Sequence, residues 1–313
     1  MKTSEICERY FREFGHDMLR EKFPDLVQFT ASGLFGSGSE CLGYDDDISS
    51  DHDLEPGFCI FIPGEDVLSS RDEFRLERAY SALPKEFMGL KRGLFSPVGG
   101  PRRGVIRYDD FFKSRCGSED GILTIEQWLH TPEYYLLECT NGAVYEDNYG
   151  QVTEIRERLA YMPEDIRLKK LAGNLLIMAQ AGQYNYTRCV KHGETAAAQL
   201  AVFAFTQSAL NVIFLINKRY TPFYKWIFRA MRDLPRLSDV ANDLETLMTT
   251  ENDGEIAEDK YYTIEDIAAK IIEELLKDDL SAANCGDLEK HAYSVNDKIA
   301  DGEIRNLHIL TAV

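Results

Sequence analysis

Gly33-Leu34-Phe35-Gly36-Ser37-Gly38-Ser39-Glu40, followed fourteen residues after Ser37 by Asp51-His52-Asp53, is the stretch on which the reading of this chain turns. Val27 to Phe35 is rich in β-formers and is stopped by Gly36, so the pattern predicts a strand that runs into a glycine-serine turn. In an extended segment alternate side chains share a face, which puts Asp51 and Asp53 together and His52 opposite, a packing or hydrogen-bonded histidine. Two carboxylates ~7 Å apart along one face can jointly hold a hard divalent cation such as Mg²⁺, or Mn²⁺ in its place. The turn exposes backbone N–H groups and the hydroxyls of Ser37 and Ser39 at a helix start, a nest for phosphate oxygens. The alternative for Gly36 and Gly38 is a plain turn. Glu40, in the first turn of that helix, suits its dipole, and Asp45-Asp46-Asp47 reads as a solvated turn or cap.

Upstream, Ile6, Tyr10, Phe11, Phe14 and Met18 recur at helical spacing, predicting an amphipathic helix over 3–21. Downstream, Phe58-Cys59-Ile60-Phe61-Ile62 before Pro63-Gly64 reads as a buried strand, then a helix over roughly 67–81, a Gly/Pro-rich loop at 93–104 and a strand Val105 to Tyr108. From about 122 the pattern is mostly helical, with a short strand around Tyr145 and helices at 164–181, 195–217, 222–232, 236–250, 263–277 and 287–299. An acidic break at 251–255 precedes the last two. The expected organisation is α+β: a mixed sheet with flanking helices over 1–121, then an all-α domain over 122–313.

Composition narrows the function classes. The chain has 313 residues, 44% of them hydrophobic, enough for packed cores rather than general disorder. The opening Met1-Lys2-Thr3-Ser4-Glu5 lacks an apolar signal-type run, and the seven cysteines stand singly, so reduced thiols and a cytoplasmic setting are expected. The longest apolar stretch, Leu200 to Ile216, is interrupted by Thr206, Gln207, Ser208 and Asn211 and reads as a core helix rather than a bilayer span. Net charge is −18, concentrated in 237–313, where 6 basic face 19 acidic residues; 126–236 has 13 basic against 11 acidic. An acidic surface argues against a broad nucleic-acid footprint. The basic run Lys218 to Arg236 is the natural polyanion contact, though most of its side chains are expected to cover helix faces.

A metal pair beside a phosphate cradle is what nucleotidyl transfer needs. Strand, Gly-Ser, ten to fifteen residues and Asp-x-Asp resembles the signature of the DNA-polymerase-β-type nucleotidyltransferase superfamily. The longer string, Gly36-Ser37-Gly38-Ser39-Glu40 through Gly43-Tyr44-Asp45-Asp46 to Ser50-Asp51-His52-Asp53, looks like the bacterial family labelled domain of unknown function 4037. So do Ala179-Gln180-Ala181-Gly182-Gln183-Tyr184-Asn185 and Asn217 through Tyr220 to Pro222-Phe223-Tyr224-Lys225-Trp226. The layout is similar to that of aminoglycoside nucleotidyltransferases, a catalytic domain followed by a helical substrate domain.

The resemblance implies an Mg²⁺-dependent enzyme moving NMP from an NTP to a hydroxyl of a small-molecule or macromolecular acceptor, with Asp51 and Asp53 as metal ligands. Gly36, Ser37 and Ser39 would meet the triphosphate. The superfamily usually adds a third carboxylate from a later strand. Alternation from Val105 would put Arg107 and Asp109 on one face, making Asp109 the catalytic candidate, but Asp109-Asp110 equally reads as a helix cap. Glu146 and Asp147 are weaker candidates. Gln180, Gln183, Asn185 and Arg188, beside a break expected at Gly182, suit a base or polyhydroxy acceptor, or merely cap a helix. The Gly33 to Pro63 segment has no Lys or Arg, so Arg188 and Lys225 are the expected phosphate contacts, Gln183 a further nucleotide contact. A tRNA- or protein-modifying toxin-like transferase and a catalytically weak nucleotide sensor are the alternatives; a tRNA acceptor would call for a more basic helical domain.

Overall fold

The computed structural model describes residues 2–45, 55–92 and 103–313. Asp51, His52 and Asp53, with the metal role expected of the two carboxylates, lie outside the described residues, as does most of the loop expected at 93–104. The fold is mixed α+β with a small mixed sheet and a helical C-terminal region. Two compact units divide the chain: 1–124 with 135–160, and 125–134 with 161–313. The division differs from a single boundary at 121/122 because a later strand returns to the sheet of the first unit.

The first unit is built on strands β1 (Ala31–Leu34), β2 (Cys59–Ile62), β5 (Gly104–Arg107) and β6 (Ala143–Asp147), in the order β5-β2-β1-β6; Glu86–Phe87 (β3) and Leu90–Lys91 (β4) form a separate hairpin. β1 pairs antiparallel with β2 and β6, and β2 parallel with β5. The first helix follows the apolar spacing, Thr3–Tyr10 and His16–Lys22 joined by a π turn at Phe11–Gly15. Gly15 is required there: a Cβ would stand 2.4 Å from the Phe58 ring. The packing of Tyr10, Phe11 and Met18 against Phe58, Ile60 and Ile62 is the core of this unit.

The strand expected over 27–35 is shorter. Val27–Phe29 form a 3-10 turn, closed by the Thr30 hydroxyl donating to the Val27 carbonyl at 2.9 Å. Val27 and Phe29 still pack against the core, from the turn. Burial favours β-formers in either conformation, so composition alone does not separate them.

In the second unit, Glu164–Met178, Ala179–Tyr186 and Thr187–Lys191 run on as one helix whose middle is a π stretch. The break expected at Gly182 is therefore a continuation. Gly182 is small because a Cβ would meet Phe205 at 2.4 Å and Ile264 at 2.9 Å. Thr195–Ile216 packs against this helix; it is long and apolar enough to cross a membrane, with 67% of its most apolar window buried in the fold. The acidic break is shorter than expected, since Gly254–Lys277 is one helix with Glu255 in its first turn, where a carboxylate suits the dipole.

Candidate functional site

β1 delivers the chain into Phe35 and the Gly36–Gly38 turn. Phe35 stacks on Phe61 of β2, centroids 4.3 Å apart, and lies under the Arg156 guanidinium at 4.4 Å. Gly36 (φ +116°) and Gly38 (φ +147°) occupy backbone that L side chains rarely adopt, so these glycines are demanded by the turn. The short helix Ser39–Leu42 follows, with Gly38 at its N-cap and Gly43 (φ +72°) ending it. Its N-cap glycine has no side chain with which to cap the first turn. Ser37 is half-buried and Ser39 buried.

Gly36 is not a free donor. Its N–H donates to Asn141 Oδ1 at 2.9 Å, and its carbonyl accepts from Asn141 Nδ2 at 2.8 Å. Asn141 is itself held by Arg156, whose guanidinium donates to the carbonyls of Cys139, Thr140 and Asn141 at 3.0, 2.9 and 2.8 Å. Burial pulls Arg156 down to about 10, with the Cys139 and Cys41 thiols opposing. Gly36 thus serves the turn by shape, and phosphate-directed N–H groups would have to come from the residues after it.

Two paired arginines of the same unit stand near the turn and its helix. Arg115 packs over the Phe111 ring at 3.8 Å and pairs with Glu138 at 3.1 Å; its Nη2 lies 4.0 Å from where a Gly36 Cβ would stand. Arg103 donates to Glu40 Oε1 at 3.0 Å in a pair with side chains 5% and 1% exposed. Glu40, expected to serve the helix dipole, is instead half of a buried ion pair. Its Oε2 and the Arg103 Nε have no hydrogen-bond partner among the described residues. Neither arginine was a sequence candidate, because both lie outside the Gly33 to Pro63 segment.

The candidates for a third carboxylate carry structural duties. Helix Tyr108–Cys116 begins one residue after β5 ends, so the alternation proposed for Asp109 stops at Arg107, and Asp109 falls in the first helical turn. Asp109 Oδ1 accepts the Asp110 N–H at 2.9 Å, but the helix N-cap is Arg107. Asp147 caps the following helix through the Gly150 and Thr153 N–H groups, both at 2.7 Å. Glu146 faces Arg12, His16 and Arg20 at 3.5–3.7 Å. Tyr108 is pushed up to about 12, first by burial and then by Tyr149, Asp109, Asp66 and Asp147. Among the described residues, no group of three or more His, Cys, Asp or Glu is placed to hold a metal ion.

The helical candidates sit as follows. Gln183 is committed on both ends of its amide, donating to Glu265 Oε2 and the Gly286 carbonyl and accepting from the Leu288 N–H, each at 2.9 Å. Arg188 is exposed and lies over Tyr184 at 5.0 Å. Lys225 is exposed and lies over Trp226 at 4.8 Å. Within the basic run, Lys218, Arg232 and Arg236 pair with Glu164, Glu245 and the Glu274/Asp278 couple, covering helix faces as expected.

No curated protein and no solved structure matches this chain. The stretch that does match a known family contains Asn141 and Arg156, which hold the glycine turn, and the π stretch around Gly182. Residues 128–227 match the family model described as "Domain of unknown function (DUF4037)", the family that the Gly-Ser and Asp-x-Asp string, itself outside the matched residues, resembles.

Proposed function

We propose that this protein is an Mg²⁺-dependent nucleotidyltransferase working in the cytoplasm. The observation that carries the reading is the layout around the glycine turn. β1 ends in a Gly-Ser-Gly turn of positive-φ glycines and a helix start whose N-cap, Gly38, has no side chain, and β2, reached through Asp51-His52-Asp53, begins at Cys59 opposite Gly33. Antiparallel pairing brings the start of β2 to the end of β1 from which that turn departs.

The donor set suits a hard cation, since Asp51 and Asp53 offer oxygen ligands only. Mg²⁺, when bound there, would neutralise triphosphate charge and favour ionisation of the attacking hydroxyl. The chain's own part is binding and orientation. Ser37 and the N–H groups opening the Ser39–Leu42 helix would meet a phosphate oxygen, while the space beside Gly38 is taken by the Glu40 carboxylate, 2.6 Å from where a Cβ would stand. The Arg115 guanidinium, beside Gly36 and paired with Glu138, is the cation this unit offers near the turn. In the reaction the acceptor oxygen forms a bond to the α-phosphorus, the bond from the α-phosphorus to the bridging oxygen breaks, pyrophosphate leaves with that electron pair, and the hydroxyl proton passes to a base.

The test is pyrophosphate release with each NTP and a metabolite extract, comparing the wild type with Asp51→Asn/Asp53→Asn. Turnover that depends on Mg²⁺ and vanishes in a folded double variant supports the proposal. Unchanged turnover in that variant refutes the site. A second reading, a catalytically weak nucleotide sensor, is favoured by the structural commitments of Glu146 and Asp147; NTP binding without pyrophosphate release would select it.

A further inference from the structure

A cavity of about 510 Å³ opens inside the helical unit, within the size range of small-molecule sites. Its apolar lining includes Tyr134, Phe203, Leu210, Phe223, Tyr224 and Phe228. Tyr134 meets Phe223 edge-on at 5.5 Å, and Phe223 lies 4.3 Å from Tyr224, with Phe203, Phe223 and Tyr224 exposed. Three further lining residues are polar and unusually placed. Lys170 has a side chain 7% exposed, and among the described residues its ammonium meets only Glu133 Oε1, at 4.0 Å. The hydroxyls of Thr206 and Thr221, residues 3% and 9% exposed, have no hydrogen-bond partner among the described residues. Buried polar groups are normally paired, so one ammonium beyond hydrogen-bond range and two idle hydroxyls around one cavity point to a ligand that completes them.

We propose that this cavity binds an uncharged, flat, apolar small molecule bearing a hydroxyl or carbonyl oxygen. Its oxygen accepts from Lys170, and its rings lie against the aromatic wall. The charge balance sets the class. Glu133 already neutralises Lys170, with its other oxygen accepting the Thr221 N–H at 2.9 Å, so a ligand carboxylate would leave one buried charge unpaired. A pure hydrocarbon would leave the ammonium and hydroxyls as they are. Burial holds Lys170 below the ordinary lysine range, with Glu133 opposing, which fits an ammonium short of partners. This site stands apart from the proposed transfer chemistry and does not rest on it.

Three probes of one shape separate the cases: 1-naphthol, 1-naphthoate and naphthalene, titrated into the full chain by calorimetry and probe fluorescence. The expected result is saturable 1-naphthol binding about tenfold tighter than either of the others. Lys170→Met should weaken 1-naphthol about tenfold and leave naphthalene unchanged. Thr206→Val removes an unpaired buried hydroxyl with little change in shape, so it should weaken 1-naphthol severalfold without lowering Tm. If Lys170→Met does not fold, Thr206→Val decides. Naphthoate binding as tightly as naphthol would make this an anion site, and equal naphthalene binding would make it an apolar groove for a partner's side chain. Either result overturns the proposal, as does the absence of saturable binding or an unaffected variant.

Discussion

Cutting the Glu40–Arg103 pair one side at a time should destabilise the first unit strongly, and cutting both sides should not. The two side chains are 1% and 5% exposed and meet at 3.0 Å. Arg103→Met strands a carboxylate whose Oε2 already lacks a partner among the described residues; Glu40→Leu leaves a buried guanidinium whose Nε faces only the half-buried Glu55 Oε1 among the described residues, at 4.0 Å, beyond hydrogen-bond range. An uncompensated buried charge costs about 3–5 kcal/mol. For a unit of this size each kcal/mol lowers Tm by about 2–4 °C, so each single variant should lose roughly 6–20 °C. In the double variant no charge is stranded, and apolar side chains fill similar volume, so stability should return to within about 2 kcal/mol of wild type. The assay is urea unfolding of the four proteins as a double-mutant cycle, with calorimetric Tm as a cross-check. Additive losses, making the double variant the least stable, would refute the argument that isolated burial sets the cost.

Other tests address the turn and the buried lysines. Asn141→Ala leaves the buried Gly36 N–H and carbonyl unpaired and should cost about 2–4 kcal/mol, with faster amide exchange at Gly36 measured by NMR. Lys169 is 0% exposed and donates to Leu307 O at 2.6 Å, Asn296 Oδ1 at 2.9 Å and Arg305 O at 3.3 Å. Lys169→Met should therefore destabilise by about 2–4 kcal/mol in denaturant unfolding, the three orphaned acceptors outweighing the relief of a buried charge. Lys260, 2% exposed, is pulled down to about 8 by burial. Between that value and the ordinary ~10.4 the unfolded chain binds the extra proton, so stability should rise with pH across this window. Lys260→Met should flatten that rise in unfolding measured at successive pH values.

Local features were legible in the sequence. Apolar patterning placed the helix over 195–217 to within a residue and the start of the one at 164, which runs on past the expected end at 181 to Lys191. The strand–Gly36–Ser37–helix turn was equally legible, since only glycine tolerates the backbone that Gly36 and Gly38 adopt. Val27–Phe29 was misread, because burial selects the same residues for a turn as for a strand.

Tertiary structure decided what holds that turn in place. Asn141 reaches Gly36 across 105 residues and Arg103 reaches Glu40 across 63, distances at which no periodicity links one side chain to the other. Asp147 sits one residue from Glu146 and reads like it, yet it caps a helix while Glu146 faces three basic side chains. The pocket around Lys170 was invisible for the same reason. Its ammonium, its carboxylate neighbour and its idle hydroxyls come from positions 133, 170, 206 and 221. Sequence specifies which groups a chain owns and how each segment curls; which of them meet, and which are buried without a partner, depends on packing between segments that are far apart along the chain.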